Sequence, residues 1–244
     1  MYVQLAGFVI EFRNQNDKAY NYFLNAGHLL PDSDNVSLTI DMELIDKLKS
    51  EMQNYAGQKS PMVQHEIAEW LPLHNAFLMH GATFDYDGTG VIFTAHSGTG
   101  KTTHMLLWQQ LLGDKMTVVN GDKPIVRFFE DEPETPYAYG TPWCGKEQLG
   151  CNMRTPLKHI CFIERSDKNS CEPMEKADAV NLIFNQVYMP KDPAAMMNTI
   201  QLIDRLLSCC KLWKIRCNME PDAAETSFNA IFGMRNIDKP TATV

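Results

Sequence analysis

Residues 91–103 read Val-Ile-Phe-Thr-Ala-His-Ser-Gly-Thr-Gly-Lys-Thr-Thr, and this stretch decides the expected fold. Its first four residues are apolar or β-branched, which is typical of a buried strand. A short loop with two glycines follows. Residues 102–112 then carry apolar side chains at helical spacing up to Gly113, where a helix C-cap is expected. A strand, a glycine loop, a Lys-Thr pair and a helix in this order predict a phosphate-binding loop.

The residue types in this loop suit phosphate binding. Glycines let backbone N–H groups close around phosphate oxygens without a clash from Cβ, and a helix start adds unpaired N–H donors. A lysine neutralises phosphate charge, and a threonine hydroxyl ligates Mg²⁺. The strict motif begins with a glycine where this chain has Ala95, and the competing interpretation is a fortuitous Gly-Lys-Thr at a helix start. We expect a nucleotide phosphate and Mg²⁺ as ligands, bound by Ser97, Gly98, Thr99, Gly100, Lys101, Thr102 and Thr103.

Composition narrows the class of protein. A chain of 244 residues with 44% hydrophobic residues predicts one sizeable domain with its own core. Its net charge of −8 argues against nucleic acid or an anionic membrane as the main partner. No apolar run reaches the roughly 18 residues of a membrane span, and no secretory signal is evident, so we expect a cytoplasmic protein. The 7 cysteines form no C-x-x-C pair, which favours reduced thiols over zinc or disulfides.

The order of patterns predicts an α/β chain with a small N-terminal α+β element over residues 1–72, a nucleotide-binding domain over 73–235 and a tail over 236–244. The N-terminal element is expected to pack on the core. The predicted strands are 3–12, 36–40, 76–79, 91–94, 116–119, 125–129, 160–164 and 212–218. The predicted helices are 42–55, a stretch that follows Pro61 and ends near residues 70–72, 102–112, 177–186, 194–209 and 223–232.

Two further residues are candidates for the chemistry around the loop. A nucleotide site needs a carboxylate that reaches Mg²⁺ from the end of a neighbouring strand. Asp122 follows the predicted strand 116–119, one predicted helix beyond Lys101, and we interpret it as a metal ligand; an Asp in a Gly-Asp turn is the alternative. His80 precedes the turn at 85–88, and a hairpin there would bring it beside the loop, although a lone histidine at a strand end is more often structural.

The segment 139–147 also stands out. It combines two glycines, a proline, a tryptophan and a Lys-Glu pair. Binding groups concentrate in loops of this kind, and Lys146 or the nearby Arg154 would suit stabilisation of charge on a phosphoryl group. The alternative is an aromatic-anchored loop that packs on the core.

Together these residues resemble the catalytic domain of HPr kinase/phosphorylase, and the loop also resembles that of ATP-dependent phosphoenolpyruvate carboxykinase. The resemblance covers roughly residues 75–165. It implies a mixed, strongly curved sheet around a phosphate-binding loop, and transfer of the ATP γ-phosphoryl group to a hydroxyl of a protein serine or a small molecule. It implies a catalytic set of Asp122, His80 and Lys101, with Thr102 and Asp122 at the metal. It also suggests a homo-oligomer, because the HPr enzymes are oligomeric.

Two departures from that family matter. The HPr enzymes carry adjacent aspartates where this chain has Gly121 before the single Asp122, so one carboxylate serves both metal and base roles or one role is missing. Their later Arg-Gly-Leu-Gly signature is absent, which leaves phosphorylase activity and HPr as the substrate without support. The acceptor is therefore open. The alternatives are a non-catalytic ATP-binding sensor or accessory protein, and a simple NTPase.

Overall fold

The computed structural model describes residues 1–14, 23–24, 26–43 and 62–233, and over these residues the chain is an α/β protein with two mixed sheets. The strands are β1 (Tyr2–Leu5), β2 (Phe8–Arg13), β3 (Leu29–Leu30), β4 (Leu38–Asp41), β5 (Ala76–Leu78), β6 (Ala82–Tyr86), β7 (Thr89–Thr94), β8 (Met116–Asn120), β9 (Ile125–Arg127), β10 (Tyr137–Tyr139), β11 (Arg154–Arg165), β12 (Ser170–Pro173) and β13 (Lys211–Cys217). The helices are α1 (Met62–Trp70), α2 (Lys101–Leu112), α3 (Lys176–Phe184), α4 (Pro193–Cys209) and α5 (Asp222–Phe232), with short 3₁₀ turns at Leu71–His74 and Gly113–Lys115.

The larger sheet brings several strand ends to one edge. Its order is β5-β9-β10-β11-β7-β6-β8, with β13 beside β11 and β12 beside β13. Strand β7 is parallel to β11, and β6 is antiparallel to both β7 and β8. Strands β7, β8 and β11 therefore point the same way, and their carboxyl ends meet the residues that precede β6. The sequence predicted a carboxylate from a strand neighbouring β7; in the structure β6 lies between β7 and β8.

Helices cover both faces of this sheet. Along β7, Ile92 packs with α3 and α4, whereas Val91 and Phe93 pack with α2 and α5. On β11, Ile160 lies on the same face as Ile92, and Cys161 lies on the face of Val91 and Phe93. Strand segments buried on both faces are continuous apolar runs in the sequence, which is why the sequence predicted β7 and the second half of β11.

The N-terminal sheet has the order β3-β1-β2-β4 and shares a core with α1, β5 and β9. The prediction of one strand over residues 3–12 was wrong, because Ala6 and Gly7 form a turn with φ of 52° and 78° that splits it into β1 and β2. The side chain of Arg127, on β9, connects this turn to the larger sheet through two contacts. Its guanidinium carbon lies 3.7 Å from the ring centroid of Phe8, and Nη1 donates to the Ala6 carbonyl at 2.6 Å.

Most other predicted elements are confirmed within a few residues, including α2 with its C-cap at Gly113. Strands β3, β6, β10 and β12 were not predicted, and β11 begins six residues before its predicted start. Positions 44–55 of the predicted helix 42–55 and the tail at 236–244 lie outside the described residues, and the division at residue 72 stays a prediction. Among the described helices, none combines the length and apolar character required to cross a bilayer. The seven cysteines are free thiols.

Candidate active site

The loop between β7 and α2 follows the predicted strand–loop–helix order. Gly98 and Gly100 adopt φ of 79° and 118°, in the left-handed region that disfavours other residues. A Cβ at either glycine would meet nothing within 4 Å, so backbone conformation, not crowding, calls for glycine at these two positions. Gly100 is the N-cap of α2, and no side chain caps that helix. The first N–H groups of α2, beginning at Lys101, are therefore donors that an anion can use.

Helix α2 is held firmly behind this loop. His104 and Trp108, both almost fully buried, contact the hydroxyl of Ser227 on α5 through ring nitrogens at 3.0 and 2.9 Å. The same hydroxyl lies 3.0 Å from the Ala223 carbonyl, to which it donates. Burial lowers the pKa of His104 to about 4, so the ring is neutral at physiological pH. His104 therefore has a structural role.

Lys101 lies under the loop with 7% of its surface exposed. Its Nζ donates to the carbonyls of Ala95 at 3.0 Å and His96 at 3.4 Å. An ammonium has three N–H donors, and within the described part of the chain no third acceptor contacts it, so one donor remains for a ligand. Burial lowers the pKa of Lys101, and the nearby carboxylate of Asp122 partly opposes that shift.

His80 and Asp122 form a pair at the same edge of the sheet. Nε2 of His80 lies 3.3 Å from Oδ1 of Asp122, and both side chains are about one-third exposed or less. The N–H of Gly81 donates to the Asp122 carbonyl at 2.8 Å, which joins the two backbones. Burial acts to raise the pKa of Asp122, but the hydrogen bond from His80 and the charges of His80, Lys123 and Lys101 outweigh it and lower the pKa overall. The carboxyl group is thus ionised at physiological pH.

The turn that carries Asp122 is fixed by Asn120, a fully buried residue at the end of β8. Its Oδ1 accepts from the N–H groups of Asp122 at 2.9 Å and Lys123 at 2.7 Å, and its Nδ2 donates to Thr141. Asparagine side chains commonly form such turns with the backbone two residues on. Asn120 is a residue that the sequence reasoning missed, although its position just after a strand was a usable signal.

The segment 139–147 packs against this turn. A Cβ on Gly145 would lie 3.3 Å from Cβ of Asp122, and a Cβ on Gly121 would lie only 2.7 Å from the Cys144 carbonyl oxygen. Position 121 therefore has no room for a side chain, which is the physical reason for a single carboxylate here. Burial raises the pKa of the Cys144 thiol, and the Asp122 charge adds to the shift. A thiol held protonated is a poor nucleophile.

The other side of the loop borders a cavity of about 460 Å³. It is lined by residues 94–99 of the loop, 162–165 at the end of β11, Leu182 and Gln186. Arg165 reaches across from β11, with Nε donating to the Thr99 carbonyl at 3.1 Å and Nη2 donating to the Gly98 carbonyl. The sequence offered no signal for Arg165, which lies far from the loop along the chain.

The structure thus brings Lys101, His80 and Asp122 to one sheet edge, with the loop residues Ser97–Thr99 exposed or half-buried beside them. Thr102 is half-buried and Thr103 exposed at the start of α2. Arg154 lies elsewhere, with its guanidinium 4.7 Å from the ring centroid of Tyr137. No group of three or more His, Cys, Asp or Glu side chains suited to a metal occurs within the described ranges. The Thr102 hydroxyl and the ionised Asp122 carboxylate are oxygen donors of the kind that Mg²⁺ uses together with substrate phosphates.

Comparison with known proteins does not assign the chain to a family. No protein-family model and no curated protein matches the chain. Among solved structures, the chain is similar to the Hpr(Ser) kinase/phosphatase from Coxiella burnetii, with 11% identity, a TM-score of 0.29, and coverage of 53% of this chain and 90% of that chain. A TM-score this low carries no argument about fold or function.

Proposed function

We propose that this protein is an ATP-dependent phosphotransferase of the HPr-kinase-like class, which moves the γ-phosphoryl group to a hydroxyl of a protein serine or a small molecule. One observation carries the proposal. An uncapped helix start with a buried lysine lies at the same sheet edge as a His80–Asp122 pair whose nitrogen and oxygen are 3.3 Å apart. Positioned anion donors beside a carboxylate and an imidazole are the parts that phosphoryl transfer requires.

Each group has a role in this proposal. The loop N–H groups and the free donor of Lys101 bind phosphate oxygens, and Thr102 with Asp122 would hold Mg²⁺, which neutralises phosphate charge when bound. The ionised carboxyl of Asp122 orients the acceptor hydroxyl and accepts its proton, with His80 as the neighbouring proton carrier. Because Gly121 leaves no space for a second carboxylate, Asp122 serves both the metal and the acceptor.

That same crowding at Gly121 favours a second candidate, a protein that binds ATP without transferring phosphate to an acceptor. Two-carboxylate sites divide metal binding and proton abstraction between two groups, and a single carboxylate is less able to do both. A simple NTPase is intermediate between these candidates, since it needs only water as the acceptor.

The first test is Lys101→Met, which removes the charge and keeps the chain length. Charge-assisted hydrogen bonds contribute about 1.5–3 kcal/mol, so we expect ATP affinity measured by calorimetry to fall roughly 10- to 150-fold. Lys115→Met, at an exposed lysine just beyond α2, is the matched control and should bind ATP as the unmodified protein does. Unchanged ATP affinity in folded Lys101→Met protein would refute the phosphate site.

A second test separates the candidate functions. ATP labelled at the γ-phosphate is incubated with candidate acceptor proteins and free serine, with Asp122→Asn as the inactive comparison. Label on an acceptor supports the kinase, and label only in free phosphate supports the NTPase. ATP binding without either product supports the sensor.

A further inference from the structure

Arg165 reaches the phosphate-binding loop from β11, 66 residues beyond Thr99 along the chain. Its Nε donates to the Thr99 carbonyl at 3.1 Å, and its Nη2 donates to the Gly98 carbonyl. Because the C=O and N–H of a planar trans peptide point in nearly opposite directions, the N–H groups of Thr99 and Gly100 point away from the guanidinium. The Thr99 N–H donates to the His96 carbonyl at 3.2 Å, whereas the Gly100 N–H has no acceptor in the described part of the chain.

Lys101 holds the first half of the loop in a similar way. Its Nζ donates to the carbonyls of Ala95 and His96 at 3.0 and 3.4 Å. Carbonyl oxygens that faced a phosphate would repel it, and here two cationic side chains hold four of them. The unpaired N–H groups at the start of α2 remain for the ligand. Free N–H groups beside carbonyls that are turned away form the arrangement of an anion nest.

The glycines of the loop make this arrangement dependent on a tether. Gly98 and Gly100 have φ of 79° and 118°, and glycine populates negative φ about as readily as positive φ. A Cβ at either glycine would meet nothing within 4 Å, so close packing does not hold these two residues. A guanidinium presents its donors in a rigid planar fork. Arg165 can therefore fix the orientation of two successive peptide units at once.

The backbone of Arg165 is itself fixed. Strand β11 pairs with β13 as far as Arg165, which lies opposite Cys217. The neighbouring Glu164 forms ion pairs with Lys214 at 3.0 Å and Arg216 at 3.5 Å, both on β13. Among the described residues no carboxylate pairs with Arg165, so the two loop carbonyls are the acceptors that hold its guanidinium.

We infer that Arg165 is a positioning residue that preforms the phosphate-binding loop. It holds the carbonyls of Gly98 and Thr99 on the β11 side, so that the Gly100 N–H and the first turn of α2 stay available to an anion. Its effect on nucleotide binding rests on the proposed function, and its effect on the loop does not.

The effect on the loop is tested without nucleotide. Backbone ¹⁵N relaxation gives order parameters of about 0.85 for rigid residues and below about 0.6 for flexible ones. We expect rigid values for Gly98 and Gly100 in the unmodified protein and flexible values in Arg165→Gln, which lacks the guanidinium. Arg205→Gln is the matched control, because Arg205 donates from the same two nitrogens to the Pro133 carbonyl of another loop. Flexible glycines in the unmodified protein, or equal values in the two variants, would overturn the inference.

ATP binding supplies the second arm, measured by calorimetry. When only a fraction of the molecules has the binding-competent conformation, the apparent affinity falls by that fraction. A loop that is preformed in about one-tenth of the Arg165→Gln molecules would therefore bind ATP about 10-fold more weakly. Arg205→Gln should bind ATP as the unmodified protein does, and melting temperatures check that both variants are folded. Arg165→Lys keeps the charge without the planar fork, so its ATP affinity should stay below that of the unmodified protein.

The outcomes separate this inference from the proposed function. Unchanged ATP affinity in Arg165→Gln, or full affinity in Arg165→Lys, would overturn the role of the fork in nucleotide binding. Absence of ATP binding by every protein, with the relaxation result intact, would refute the proposed function and leave the effect of Arg165 on the loop standing.

Discussion

Ser227→Ala tests whether α2, and with it the loop, depends on one buried hydroxyl. Ser227 is fully buried. Its hydroxyl uses its full hydrogen-bonding capacity, because it accepts from the ring nitrogens of His104 and Trp108 and donates to the Ala223 carbonyl. Alanine at this position leaves two buried N–H groups without their acceptor. Each such group costs roughly 1–3 kcal/mol, and with some relaxation we expect the free energy of unfolding to fall by about 2–4 kcal/mol.

The loss is measured by urea denaturation followed by circular dichroism and by the melting temperature. For a chain of this size each kcal/mol shifts Tm by about 2–4 °C, so Tm should fall by roughly 5–15 °C. Thr226→Ala is the matched control, because the Thr226 hydroxyl is half-buried and donates to the Asp222 carbonyl within its own helix. The control should stay within about 0.5 kcal/mol of the unmodified protein.

A double-mutant cycle tests whether the lost hydrogen bonds cause the loss of stability in Ser227→Ala. Trp108→Phe removes one of the stranded N–H groups, so adding it to Ser227→Ala should cost about 1–2 kcal/mol less than the sum of the single changes. A loss below about 0.5 kcal/mol for Ser227→Ala alone, or strict additivity in the cycle, would refute the assigned hydrogen bonds.

Two further predictions concern packing and pH. Gly121→Ala places a Cβ 2.7 Å from the Cys144 carbonyl oxygen and should lower the free energy of unfolding by about 1–3 kcal/mol; an unchanged Tm would show that this loop yields easily. Burial, aided at His159 by the charge of Lys211, lowers the pKa of His104 and His159 from 6.5 to about 4. The unfolded chain therefore binds these protons first, and stability should decline as pH falls from about 6.5 toward 4, by up to about 1.4 kcal/mol per pH unit for each histidine. His159→Gln should flatten that profile when unfolding is measured across the range, and an equal slope would contradict the assignment.

The sequence predicted the centre of the fold well and its edges poorly. Strand β7 and helix α2 have unambiguous patterns, because a strand buried on both faces is apolar throughout and a helix beside it repeats its apolar positions. The hairpin at Ala6 and Gly7 was missed because alanine at positive φ carries no sequence signal. The first half of β11 was missed because it is polar and contains Pro156, and it pairs there with the short β10.

The residues of the candidate site also differ in whether the sequence predicts them. Lys101 begins the helix that follows β7 and its loop, and Asp122 comes two residues after β8, so local pattern was enough to propose them. Gln186 and Arg165 reach the site through pairing between distant parts of the chain, and neither has a local signature. Long-range pairing, not residue type, decides which polar side chains of this chain gather at the sheet edge.

The crowding at Gly121 has an evolutionary consequence. A second carboxylate at that position requires the backbone at Cys144 to shift, because the carbonyl oxygen of Cys144 would lie 2.7 Å from its Cβ. A change in the length or path of the loop over residues 140–150 would remove that cost. Any descendant of this chain that divides metal binding and proton abstraction between two acids should therefore differ in that loop before it differs at position 121.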